Sequence, residues 1–179
     1  AYRKISFETT VFLILLLGSV IRLTYMLYTP GNCRQYDTWT GNYNGHYDYA
    51  ASFYVTSKLP QGPFTEKNIY QFYHPPLNAF IQGNFMKLFE SINGNVILET
   101  GSIGTTTIYE YGVLYQSCQI LSCFYMFLTA LFFTKIVLNL NVSNSAKLIG
   151  VSFVNLFPRL VQLSGQLNND ALAIMFCSI

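Results

Sequence analysis

Three long apolar runs, each with a single charged residue, constrain the fold of this chain more than any other feature of its sequence. They cover residues 11–23, 111–140 and 148–167. With its flanking residues, the first run approaches the roughly 20 residues that cross a hydrocarbon layer about 30 Å thick. Charged residues make up only 10% of the chain, against about 25% in ordinary soluble domains. The sequence therefore predicts an integral membrane protein.

These runs predict an all-α fold, a polytopic membrane helical bundle. Because the last apolar stretch is too short to cross a bilayer, we expect residues 1–179 to be the N-terminal part of one larger membrane domain. A cleaved signal peptide would also explain the first run, but no small-x-small cleavage site follows it. The expected spans cover about residues 10–28, 111–138 and 147–167, with the start of a fourth at 170–179.

Short basic segments set the expected orientation. Basic residues precede the first run and flank the turn between the second and third; they are Arg3, Lys4, Lys135 and Lys147. Since cytoplasmic loops carry an excess of Lys and Arg, we expect a multi-pass protein of the plasma (inner) membrane with a cytoplasmic N-terminus. The loop at about residues 29–110 is then external, and so is the triplet Asn168-Asn169-Asp170.

The external loop is predicted to be partly helical. Aromatic and small residues recur at helical spacing between His46 and Ser57. Pro75-Pro76 favours the first turn of a second helix, which we expect to lie along the membrane surface or to pack over the spans. Glycine and threonine in residues 92–107 predict a flexible lobe or a hairpin. The apolar stripe of the second helix comprises Leu77, Phe80, Ile81, Phe85, Leu88, Phe89 and Ile92.

Net charge and cysteine spacing argue against a nucleic-acid partner and against a cysteine-based zinc site. The chain has a net charge of +2 without a basic run, so we expect no nucleic-acid partner. Its four cysteines show neither a CxxC motif nor Cys/His zinc spacing, which favours buried thiols over a zinc site.

Two isolated carboxylates are the first candidates for chemistry. Asp37 follows the first run, and Asp170 stands in the triplet before the last apolar stretch. Carboxylates at one surface of a bilayer would suit an enzyme that takes a lipid-linked substrate from the membrane. The alternatives are structural, because Asp37 could cap a turn before Thr38 and the triplet could cap the fourth helix.

Two histidines of the external loop are further candidates. His74 lies between Tyr73 and two prolines, which restrict the backbone, and we expect it to bond to a phosphate or a sugar; a packed loop histidine is the alternative. His46 and Asp48 lie near the start of the first loop helix, where Asp48 also suits the helix dipole. A divalent cation could be held by these residues together with Asp37, that is by His46, His74, Asp37 and Asp48, although their spacing shows no ligand periodicity.

Arg22 and Arg159 are the residues that cost most to place in a membrane. Arg22 is close to the outer end of the first run, where a long side chain can snorkel to the surface. Arg159 follows Pro158, which kinks the third span. Because an arginine at that depth needs an anionic partner, we expect Arg159 to meet a lipid phosphate or a protein acid, Asp37 or Asp170.

Several motifs occur in an order that resembles one family of membrane enzymes. They are Tyr36-Asp37, Gly45-His46-x-x-Tyr49, Lys58-Leu59-Pro60, Gln71-Phe72-Tyr73-His74-Pro75-Pro76-Leu77 and Leu163-Ser164-Gly165-x-x-Asn168-Asn169-Asp170-Ala171-Leu172. Over essentially its whole length the chain is similar to the family 39-type branch of the GT-C superfamily of glycosyltransferases, which includes protein mannosyltransferases and aminoarabinose transferases. Either of the last two motifs alone would be weak, but their combination is fairly specific.

The resemblance implies a larger enzyme that moves a sugar from a polyprenyl-phosphate donor to an acceptor on the extracytoplasmic face. The acid that these enzymes need in their first external loop corresponds to Asp37, our predicted catalytic base. The expected partners are the lipid-linked sugar donor, membrane lipids and an unidentified acceptor. The predicted substrate-binding residues are Tyr73, His74, His46, Asp48, Asn169, Asp170, Arg22 and Arg159.

One departure from the family pattern and two rival functions stay open. The glycine-rich tract that usually follows the acid is replaced by Thr38-Trp39-Thr40-Gly41-Asn42-Tyr43, which leaves the acceptor undetermined. The rivals are a non-catalytic membrane subunit or lipid-binding scaffold, and an anion transporter that uses the intramembrane arginines.

Overall fold

The structure, a computed structural model, describes residues 5–29, 45–59, 74–93, 99–103, 106–110 and 113–179. Asp37 and Tyr73 lie outside these described residues. Within them the chain forms seven helices and one antiparallel hairpin. In chain order the elements are α1 (Phe7–Tyr28), α2 (His46–Thr56), α3 (Leu77–Asn93), β1 (Glu99–Ile103), β2 (Thr106–Glu110), α4 (Val113–Asn139), α5 (Asn144–Leu156), α6 (Pro158–Leu163) and α7 (Asn169–Cys177).

Helices α1 and α4 are long and apolar enough to cross a membrane. Helix α1 begins where the Ser6 hydroxyl accepts a hydrogen bond from the Thr9 N–H at 3.2 Å. Its 22 residues extend over roughly 33 Å. An aliphatic surface of this length, left uncovered by the described part of the chain, is suited to lipid. The exposed apolar side chains of α1 include Phe12, Leu16, Leu17, Val20, Leu23 and Leu27.

The third expected span is not one helix, which corrects the sequence interpretation. Helix α5 ends at Leu156 and α6 begins at Pro158, with Phe157 between them in an extended conformation (φ −63°, ψ 122°). The residue before a proline is pushed away from helical ψ, and the proline has no N–H for the Val154 carbonyl. This part of the chain is therefore two helices of 13 and 6 residues, each too short to span alone.

Helix α4 is the centre of the described bundle, since α1, α3, α5, α6 and α7 all pack against it. Leu121 of α4 shares a core cluster with Leu163 and Leu172, which joins it to α6 and α7. Helix α2 packs on α3, and β2 lies against α2. The hairpin pairs Ile103 with Thr106 and adds a small strand pair to the expected helices. It overlaps the segment predicted to be a lobe or hairpin and extends three residues beyond it.

The apolar stripe of α3 divides into two sides. Ile81 and Phe85 pack against the core between α4 and α7, so packing over the long helices is confirmed for one side. The other side is left uncovered by the described residues, and the buried face of α3 carries the polar Asn78 and Gln82 instead. The exposed apolar residues are Leu77, Phe80, Leu88 and Ile92.

Candidate functional site at one end of the bundle

One buried amide joins three parts of the chain at the end of the bundle where α1 stops. Gln119 of α4 donates from Nε2 to the Thr29 carbonyl at 2.8 Å and to the Gly165 carbonyl at 2.9 Å. Gly165 approaches Tyr25 so closely that an added Cβ would lie 3.1 Å from its ring. The C-terminus of α1, the first half of α4 and residues 164–168 therefore meet here, and we call this region the site end.

The start of α2 packs against the site end. Tyr47 lies in one core cluster with Leu114 of α4 and with Leu167. The preceding residue, His46, has its ring centroid 5.1 Å from that of His74, with the two planes tilted by 43°. Since His74 lies just before α3, the starts of α2 and α3 lie close together at the site end.

The polar side chains of α2 have defined roles. The Asp48 carboxylate accepts a hydrogen bond from the Gly45 N–H at 2.7 Å, which agrees with its predicted place near the helix dipole. Burial raises the pKa of Tyr49 and the pKa of Tyr47 above their ordinary values. Both phenols therefore stay protonated at neutral pH and are hydrogen-bond donors rather than bases.

The Asn168-Asn169-Asp170 triplet caps α7 and contacts α3. The Asn168 Oδ1 atom accepts from the Asp170 N–H at 3.1 Å and from the Ala171 N–H at 3.4 Å, so the capping prediction is confirmed. The backbone carbonyl of Asn168 accepts from Asn78 Nδ2 at 3.0 Å. This bond joins the two regions that carry the sequence signatures, while the Asp170 side chain is exposed.

Three buried amide atoms near this contact have no hydrogen-bond partner in the described part of the chain. They are Asn78 Oδ1, Gln82 Nε2 and Asn169 Nδ2. Asn78 is 4% exposed and Gln82, one turn further along α3, is 1% exposed. An unpaired buried polar atom costs about 1–3 kcal/mol, so a cluster of them needs an explanation. We call Asn78, Gln82 and Asn169 the amide seam.

Arg22 does not snorkel to the surface, which corrects the sequence interpretation. It is 1% exposed, and Nη1 donates to the Gly18 carbonyl at 3.0 Å and to the Asn155 carbonyl at 2.9 Å. Nη2 donates to the Val154 carbonyl at 3.1 Å. The break at Pro158 deprives these α5 carbonyls of helical donors, and a cation there also complements the helix dipole. Arg22 therefore caps α5 from another helix and is not placed to bind a substrate.

Arg159 does not pair with Asp170, which corrects a second expectation. Because the chain restarts at Pro158, Arg159 falls in the first turn of α6, where its side chain is exposed. Its Nη1 atom donates to Gln162 Oε1 at 3.0 Å. Contact between Arg159 and a lipid phosphate stays a prediction.

The structure thus brings most of the predicted residues to the site end, while the Nη atoms of Arg22 are bonded to backbone carbonyls and Arg159 is exposed in the first turn of α6. His46, Asp48 and His74 lie on the α2 and α3 side, and Asn169 and Asp170 lie at the start of α7. Within the described ranges, no group of three or more His, Cys, Asp or Glu side chains is arranged to hold a metal ion. Asp37, the fourth member of the predicted cation set, lies outside those ranges, as does Tyr73.

Three functional candidates escaped the sequence interpretation. In the sequence, Asn78 and Gln82 lie opposite the apolar stripe of an amphipathic helix, on a face that is normally turned toward water, and Gln119 is an isolated amide in a long apolar run. The available signal was a pair of amides one turn apart, directly after the His74-Pro75-Pro76 motif. In a membrane protein such a face can be turned inward, because the solvent outside is apolar.

Comparison with family models, with curated proteins and with solved structures finds no match to this chain.

Proposed function

We propose that this chain is part of a membrane glycosyltransferase that moves a sugar from a polyprenyl-phosphate donor to an acceptor on the extracytoplasmic face. The observation that carries the proposal is the 3.0 Å hydrogen bond between Asn78 Nδ2 and the Asn168 carbonyl. It links Asn78, which directly follows one motif that resembles those of GT-C enzymes, to Asn168 within the other. Asp37 belongs to the segment between Thr29 and Gly45, and both of these flanking residues lie at the site end.

In the proposed reaction, Asp37 takes the proton of an acceptor hydroxyl. The hydroxyl oxygen forms a bond to the anomeric carbon of the donor sugar while the bond from that carbon to the phosphate oxygen breaks. The electron pair of the broken bond leaves with polyprenyl phosphate, and the anomeric configuration is inverted. A carboxylate serves as such a base best when burial raises its pKa toward ambient pH.

Two further groups fit the donor. His74 is held beside His46, with ring centroids 5.1 Å apart, at a position where an imidazole N–H can donate to a phosphate or sugar oxygen. Arg159 is exposed at the start of α6, where its guanidinium can contact a lipid phosphate. The rival anion transporter is less well supported, because the Nη atoms of Arg22 are bonded to carbonyls.

The direct test is release of polyprenyl phosphate. Purified protein in detergent is incubated with radiolabelled polyprenyl phosphate that carries mannose, glucose or arabinose, together with a membrane extract as the source of acceptor. We expect free polyprenyl phosphate and labelled acceptor from at least one donor. No release from any of the three donors would contradict the proposed donor class and would favour a scaffold or a transporter.

A carboxamide substitution tests the base. Asp37→Asn should lower turnover by on the order of 100-fold to 10,000-fold, the usual range for loss of a general base, without loss of membrane insertion. The matched control is Glu8→Gln, because Glu8 is an exposed carboxylate at the start of α1, and it should keep full turnover. Normal turnover in Asp37→Asn would rule out Asp37 as the base.

A further inference from the structure

The amide seam offers neutral hydrogen-bonding atoms of both kinds. Asn78 Oδ1 is an acceptor, whereas Gln82 Nε2 and Asn169 Nδ2 are donors, and all three are buried and unpaired. A sugar hydroxyl both donates and accepts, so hydroxyl groups can satisfy amide atoms of either kind. An ionised phosphate only accepts, and it would leave the acceptor oxygen of Asn78 unpaired.

The seam is held firmly between the helices around it. Asn78 is fixed by its bond to the Asn168 carbonyl at 3.0 Å. Gly83, next to Gln82, lies so close to α2 that an added Cβ would be 2.7 Å from the Ala50 carbonyl oxygen. Because α3 is fixed on both sides, its amides are positioned before any ligand arrives, as a specific binding site requires.

A second buried glutamine shows that this chain can satisfy such an amide internally. Gln119 is 2% exposed and Gln82 is 1% exposed. The Nε2 atom of Gln119 donates to two backbone carbonyls, whereas that of Gln82 has no partner among the described residues. Burial alone therefore does not explain the unpaired state of Gln82.

We infer that the amide seam is a subsite for the hydroxyl groups of a neutral sugar, separate from any group that binds the phosphate. This inference rests on the proposed function and names the part of the substrate that Asn78, Gln82 and Asn169 recognise. In this inference α3 recognises the sugar and takes no part in bond making or breaking. The seam selects the sugar of the donor, while Asp37 is proposed to act on the acceptor hydroxyl.

The test compares binding of lipids with and without a sugar. The probes are polyprenyl phosphate carrying mannose, glucose or arabinose, and bare polyprenyl phosphate, titrated into purified protein. The wild type should bind at least one sugar-bearing lipid more tightly than the bare lipid. Gln82→Met keeps the side-chain volume and removes the amide. It should weaken binding of the preferred sugar-bearing lipid by about tenfold or more, which is the effect of losing one good hydrogen bond. The affinity for the bare lipid should change less than about twofold.

Thermal unfolding of the ligand-free protein separates a subsite from a structural amide. Gln82→Met should have an unchanged or higher melting temperature, because it removes an unpaired buried group. Gln119→Met is the matched control and should melt at a lower temperature, because it loses two hydrogen bonds.

The inference is overturned if Gln82→Met binds the sugar-bearing lipid as the wild type does, whatever its melting temperature. It is equally overturned if the wild type shows no preference for any of the three sugars. Since the readout is binding, a retained sugar preference without turnover would reject the proposed function and keep the subsite.

Discussion

Two buried polar groups in this bundle use their hydrogen-bonding atoms in opposite ways. In the Arg22 cluster, formed by Gly18, Arg22, Val154 and Asn155, the guanidinium makes three hydrogen bonds to backbone carbonyls. In the amide seam, three side-chain atoms remain unpaired. Native proteins pair nearly all buried polar atoms. The Arg22 cluster therefore stabilises the fold, whereas the amide seam is proposed to pair with a ligand.

Helices α1 and α5 pack closely at the Arg22 cluster. Arg22 Nε and Asn155 Oδ1 are also without partners among the described residues. However, α1 and α5 approach so closely that a Cβ on Gly18 would lie 2.9 Å from the Asn155 carbonyl oxygen. The cluster is therefore a closed joint between α1 and the break before α6.

The largest expected effect is on stability, from Arg22→Ala. This change leaves the carbonyls of Val154 and Asn155 buried without donors, and we expect a loss of about 3 kcal/mol in the free energy of unfolding. Arg159→Ala is the matched control, because Arg159 is exposed, and it should cost less than about 0.5 kcal/mol. Reversible unfolding in mixed micelles measures both. Equal losses in the two variants would contradict the structural role of Arg22.

Alanine substitutions of two glycines, one beside the amide seam and one in the Arg22 cluster, should have the next-largest effect on stability and should differ in their effect on binding. Gly83→Ala should destabilise the protein by about 2 kcal/mol, since its Cβ meets backbone and the helices must move apart. It should also weaken sugar-lipid binding, because α3 carries the seam. Gly18→Ala should have a similar stability cost but leave that binding unchanged. The control, Gly150→Ala, meets only the Val137 side chain, at 3.0 Å, and should lose little or gain from alanine's better helix propensity. A binding defect in Gly18→Ala alone would reverse the assignment.

A double-mutant cycle sharpens the role of the helix break. Pro158→Ala restores an N–H that can bond to the Val154 carbonyl, so Arg22 should matter less in that background. We expect a coupling free energy of about 1 kcal/mol between the two substitutions. If chemical unfolding shows that the two losses in unfolding free energy simply add, Arg22 does not compensate for the hydrogen bond that Pro158 cannot donate.

The smallest expected effect concerns the cap of α7. Asn168→Ala should cost about 1 kcal/mol, the usual value of an N-cap side chain, because the Asp170 and Ala171 N–H groups lose their acceptor. Asp170→Asn should change stability by less than about 0.5 kcal/mol, since that side chain is exposed. Thermal unfolding measures both. A larger loss of stability in Asp170→Asn than in Asn168→Ala would show that Asp170, rather than Asn168, caps α7.

Most of the fold follows from the apolar pattern. The two long apolar helices, α1 and α4, were predicted to within a few residues, because a long apolar run has one stable arrangement in lipid, a helix that bonds its own backbone. The break in the third span was only partly foreseen. Pro158 indicated a kink, but a second chain segment, Arg22, determines how the carbonyls at the break are satisfied.

The candidate site was predictable only where its residues form a motif. His74 and Asn168-Asn169-Asp170 were visible as patterns, and the structure joins their neighbourhoods through Asn78. The role of Gln82 was not visible, because helical periodicity alone cannot tell whether a polar face is turned to water or to a protein interior. That choice depends on which side the other helices cover, which is a long-range property of the bundle.

Thiol labelling at position 170 tests most directly whether the site end is an extracytoplasmic site for a lipid-linked sugar. Asp170→Cys and Asn144→Cys, both at exposed positions, are made in a protein whose native cysteines are replaced by alanine. In intact cells a membrane-impermeant maleimide should label position 170 and spare position 144, and a sugar-bearing polyprenyl phosphate should slow labelling at position 170. Labelling of position 144 but not of position 170 would contradict the account.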